Sequence, residues 1–127
     1  MLKIIAVMAG GGLGASLRYG IFQLVQKLAG PAFPSGTLAA NLLGSLLIGI
    51  LWSFFEGSRL TNEMRLFIFT GFLGGFTTFS TFTRETTQLF KIGEWKTAVM
   101  YVMISNIVGI LLVFAGYFAT RRWLLST

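Results

Sequence analysis

GFLGGFTTFSTF, residues 71–82, lies inside a membrane-length apolar stretch, yet three glycines, three threonines and a serine fill most of it. Phenylalanines are interleaved at 72, 76, 79 and 82. A smooth spanning helix does not favour this composition. Each interior glycine costs about 1 kcal/mol of helix propensity relative to alanine, and threonine hydroxyls compete for backbone carbonyls. The stretch therefore predicts a transmembrane helix that breaks at residues 74–78. Non-helical backbone at bilayer depth survives only where protein or a polar cavity satisfies its freed groups, so a break there implies a buried site.

Working outward, the chain of 127 residues is 54% hydrophobic and 11% charged. Soluble domains carry about 25% charge, so the class is an all-α integral membrane protein. A spanning helix needs roughly 20 mostly apolar residues. Four stretches qualify, at about 4–26, 36–55, 64–89 and 97–120, in one domain of residues 1–127. The connections are short, and Pro31 and Pro34 mark the first. The apolar N-terminus reads as a retained first span rather than a cleaved leader, because it runs on through Arg18 to Leu28.

Four spans put both termini on one side. That side holds Lys3, Arg59, Arg65, Arg121 and Arg122; the other holds Lys27, Lys91 and Lys96, with Arg84 if it snorkels there. Five against three or four is a weak bias by the positive-inside rule. It is compatible with insertion in both orientations, and equally with one orientation set by Arg121 and Arg122. Trp52, Trp95 and Trp123 fall where an interfacial aromatic belt would lie. The excess of ten Lys and Arg over four acids reads as interface anchoring in the lipid bilayer, not nucleic-acid binding. With no Cys, no His and scattered acids (Glu56, Glu63, Glu85, Glu94), the chain offers no catalytic constellation and is not read as an enzyme.

Several polar residues sit within the spans. Residues 10–19, GGGLGASLRY, space small residues one turn apart, as helices in close contact require. Arg18 lies deep enough to cost about 2.5–3.5 kcal/mol if it faced lipid; it faces a partner or vestibule, or snorkels. Asn41 reads first as interhelical hydrogen-bonding glue and second as an anion donor. Tyr101 and Ser105, one turn apart, share a face with Gly109, giving either a polar track or a seam.

Phe79 and Phe82, three residues apart, share a face of the helix after the break. Membrane packing is the plain reading. The sharper one uses the positive edge of the ring quadrupole: two edges aimed at one point make a dry, weakly electropositive site for a small anion. Hydroxyls of Ser80, Thr81, Tyr101 and Ser105, with the Asn41 amide, could replace its hydration shell. Carbonyls freed at residues 74–78 are acceptors only and suit a cation.

GGGLGASLRY, the Asn41-Leu42-Leu43-Gly44 segment and GFLGGFTTFSTF, in this order across four spans, resemble the Fluc/CrcB fluoride channel family over essentially the whole chain. The resemblance implies an antiparallel dual-topology homodimer in a bacterial plasma (inner) membrane, with two fluoride pores. It also implies a structural sodium ion at the dimer centre. By motif, Phe79 and Phe82 would line the pore with Asn41. Ser80, Thr81, Tyr101 and Ser105 would follow the ion path, Arg18 would stand at the pore entrance, and Gly74 and Thr77 would give carbonyls to sodium. Glu85 also fits the pattern. Two other classes share the length and span count. A small dual-topology multidrug exporter needs a membrane acid, typically in the first span, where only Arg18 is charged. A non-conducting assembly subunit leaves FTTFSTF unexplained.

Overall fold

A computed structural model describes residues 1–127. It is all-helical, and four of its helical segments are long and apolar enough to cross a membrane. The first helix, α1, runs over Leu2–Ala29 and stops at Gly30, whose φ of 83° a residue with a side chain rarely adopts. The link to the second helix is held by one side chain. Gln26 Nε2 donates to the carbonyls of Gly30 (2.6 Å) and Phe33 (3.1 Å), and its Oε1 accepts the Gly36 N–H (3.1 Å). Backbone groups of the link and of the first turn of the next helix are thereby satisfied.

Helix α2 spans Ser35–Phe55 and ends before Gly57. The third apolar stretch is composite. Thr61 caps it by accepting the Met64 N–H (3.2 Å). An α-helical turn at Asn62–Arg65 leads into a wider π-helical stretch at Leu66–Leu73 and then one turn at Gly74–Phe76. Residues 62–76 together are α3. Thr77 (φ −94°, ψ 155°) and Thr78 (φ −145°, ψ 120°) are extended. Non-helical backbone is thus confined to two residues, whereas 74–78 was expected, and the widened turn before it had no signal in the sequence. Helix α4, Phe79–Lys91, resumes from Thr78, whose Oγ1 accepts the Thr81 N–H (3.3 Å). Helix α5 runs over Trp95–Ser126. Its 32 residues exceed the roughly 20 that cross a bilayer, and Arg121, Arg122 and Trp123 lie in its final turns.

The helices pack through glycine. A Cβ on Gly14 of α1 would overlap the Phe72 carbonyl oxygen of α3, and one on Gly49 of α2 would overlap the Val113 carbonyl oxygen of α5. Backbones therefore touch directly in two pairs, α1 with α3 and α2 with α5. Only 17 of 127 residues are buried, with Tyr101, Phe76 and Thr37 the largest fully enclosed side chains. Large apolar side chains on all four spans face outward, as lipid contact allows.

Candidate functional site

The two extended threonines interrupt the helical ladder, and their neighbours divide the loose ends. Asn41 on α2 takes Thr78: its Oδ1 accepts the Thr78 N–H (2.7 Å), and its Nδ2 donates to the Thr78 carbonyl (3.0 Å). One amide replaces both missing partners, which is the glue reading. It leaves a second Nδ2 hydrogen free. On the opposite side, Arg18 Nε donates to the Gly75 carbonyl (3.0 Å). The Nε edge of the guanidinium is therefore turned against α3.

Gly74 and Thr77 differ from these neighbours. The N–H four residues after Gly74 belongs to Thr78 and goes to Asn41; the one four residues after Thr77 belongs to Thr81 and goes to Thr78 Oγ1. Both carbonyls thus lose their usual helical donor. Thr77 keeps its own N–H and Oγ1 on the Leu73 carbonyl (3.0 and 2.9 Å).

Helical spacing brings Phe79 and Phe82 side by side, with ring centroids 5.8 Å apart and planes at 46°. Phe82 is buried while Phe79 is 76% exposed. The aromatic row continues edge-on from Phe82 to Tyr101 (5.1 Å) and from Tyr101 to Phe33 (5.5 Å). Tyr101 is enclosed, and its hydroxyl donates to Glu85 Oε2 (2.9 Å), while Thr37 Oγ1 donates to Glu85 Oε1 (2.6 Å). Both carboxylate oxygens have a hydroxyl donor, and the Tyr101 hydroxyl is committed to Glu85. Spacing alone did not reveal the part taken by Thr37.

A cavity of about 410 Å³ lies against the extended residues. It gathers Asn41, Gly74, Thr77, Phe79, Phe82 and Ser105 from the residues singled out above, together with Ser45, Thr78 and Asn106. No charged side chain lines it. Ser105 Oγ is buried and has no hydrogen-bond partner, so its proton is uncommitted. Arg18 and Thr81 border a different cavity of about 370 Å³, on the other side of Thr78, with Tyr19 and Thr37. Ser80 is exposed, and Tyr101 borders neither cavity.

Fold and site together define a multi-pass membrane protein whose helices border a small, open, uncharged cavity edged by aromatic rings and amide and hydroxyl donors. The chain belongs to the CrcB family: the family described as CrcB-like protein, Camphor Resistance (CrcB), matches residues 5–117. Among its relatives, the fluoride-specific ion channel FluC of Desulfotalea psychrophila is 48% identical over 98% of this chain and 97% of its own length. The proteins of the same name from Parabacteroides distasonis and Bacteroides fragilis are 42% and 45% identical, each over 91% of this chain and 91% and 94% of their own lengths.

Proposed function

We propose that this chain is the subunit of a passive, fluoride-selective channel that lets the anion leave the cytoplasm across a bacterial plasma (inner) membrane and so relieves fluoride toxicity. The observation that carries this reading is the uncharged cavity in which the Phe79–Phe82 pair meets the unpaired Ser105 hydroxyl and the spare Asn41 hydrogen. A fluoride ion entering it exchanges water for hydroxyl and amide donors and for the positive edges of two rings. Passive conduction needs no titrating group at that place, and the lining has none.

Two features support a second copy of the chain. The Phe79 ring is 76% exposed on the single subunit, beside exposed Ser80, Thr83, Arg84 and Thr87 on the same helix. Polar and charged groups in a spanning segment avoid lipid, so a partner or a water-filled vestibule covers this face. An antiparallel homodimer, with chains inserted in both orientations, would supply that cover and give two pores. The carbonyls of Gly74 and Thr77, each deprived of its helical donor, are acceptors suited to a hard cation. Two subunits would offer two such pairs to one sodium ion, which would neutralise the carbonyl dipoles where the chains meet.

Reconstituted in liposomes, the protein should release fluoride rapidly and chloride hardly at all, read with ion-selective electrodes. Phe79→Ile and Phe82→Ile should each slow fluoride release. Equal release of the two halides would remove the proposal.

A further inference from the structure

The hydroxyl row on α5 stops early. Tyr101, Ser105 and residue 109 stand one turn apart, but residue 109 is glycine. Facing it, α2 carries Thr37, Asn41, Ser45, Gly49 and Ser53 at every fourth position, and this stripe lies along α5. Ser45 Oγ is 3.5 Å from where a Cβ on Gly109 would stand. The hydroxyl that α5 lacks at this level is therefore present, supplied from the opposite helix.

Ser45 lines the same cavity as Ser105, Asn41 and the phenylalanine pair. Beyond it the two helices close, since a Cβ on Gly49 would overlap the Val113 carbonyl and one on Gly116 would lie 2.6 Å from the Leu46 carbonyl. The cavity therefore narrows between α2 and α5 at that crossing. Ser45 is thus the last hydroxyl of the cavity before backbone meets backbone.

We propose that Ser45 is a fluoride-coordinating residue, the station after Ser105 on the ion's route. The inference rests on the channel reading above. At rest its Oγ donates to the Asn41 carbonyl one turn back (2.9 Å). Such a bond within a helix is a weak local alternative to solvation. Rotation about χ1 releases the proton to an anion, and hydrogen bonds to ions are roughly twice as strong as neutral ones. Gly109 leaves space for that rotation.

The test compares wild-type protein, Ser45→Ala and the double variant Ser45→Ala/Gly109→Ser in liposomes, with fluoride release read by electrode and folding by elution profile. Ser45→Ala should elute as wild type and release fluoride roughly tenfold more slowly, the factor expected for one lost hydrogen bond to an ion. Gly109→Ser should return most of that loss by presenting a hydroxyl from α5. Wild-type release by Ser45→Ala, a double variant as slow as the single one, or loss of the native elution profile on Ser45→Ala would each overturn the proposal. Wild-type protein that releases no fluoride would instead remove the channel reading itself.

Discussion

Asn41 holds the interrupted backbone with a side chain that has two donors and one carbonyl oxygen, using one of each on Thr78. Asn41→Ala would leave the Thr78 N–H and C=O without partners, at about 1–3 kcal/mol for each buried group left unpaired. Its thermal unfolding in detergent should therefore begin well below that of wild type. A melting curve superimposable on wild type would mean that water serves Thr78 equally well. The phenylalanines separate packing from conduction. Phe82 is buried against Tyr101, whereas Phe79 is largely exposed. Phe82→Ala should lower stability by about 3–5 kcal/mol, the usual cost of emptying a core aromatic site. Phe79→Ala should leave the melting temperature of the subunit nearly unchanged while slowing fluoride release. If both variants melt alike, the burial difference carries no energetic weight.

Between α1 and α3 the contact is backbone on backbone, and it sets what the elements tolerate. Gly14 faces the Phe72 carbonyl, while Gly12 on the same helix has nothing near its Cβ position. Gly14→Ala should separate the helices and destabilise the fold by about 1–3 kcal/mol, the cost of overpacking. Gly12→Ala should not destabilise it, since alanine is the better helix former by about 1 kcal/mol. Similar melting temperatures for the two variants would show that the helices can slide apart without cost. Much of this level is legible in the sequence. Apolar run length marks the four helices, Gly30 with Pro31 marks the end of the first, and three-residue spacing puts Phe79 against Phe82. The π-helical stretch at Leu66–Leu73 is not legible, because LFIFTGFL has the composition of any apolar spanning helix. Nor is the bridging of Glu85 by Thr37 and Tyr101, since residues 48 and 16 positions away meet only through the fold.

At the scale of the whole molecule, the uncovered polar face of α4 and the weak charge bias bear on one question, the orientation of the chain. Arg121, one of five cations on the terminal side, is bound to Glu56 (2.8 Å) beside the Tyr117 hydroxyl. Both partners are about half exposed, so the pair adds little stability. Insertion is governed by counts of Lys and Arg, to which acids contribute little. Five against three or four then leaves neither orientation strongly preferred. The chain contains no cysteine, so Ser126→Cys on the last turn of α5 would be its sole thiol. A membrane-impermeant maleimide applied to intact spheroplasts should label roughly half of the protein, with the remainder reacting only after permeabilisation, as equal insertion requires. Adding four lysines beside Lys91 should shift that division strongly, because five against three or four becomes five against seven or eight. Labelling that is complete or absent before permeabilisation, and indifferent to the added lysines, would fix a single orientation. The cover over α4 would then have to come from a parallel copy or from water.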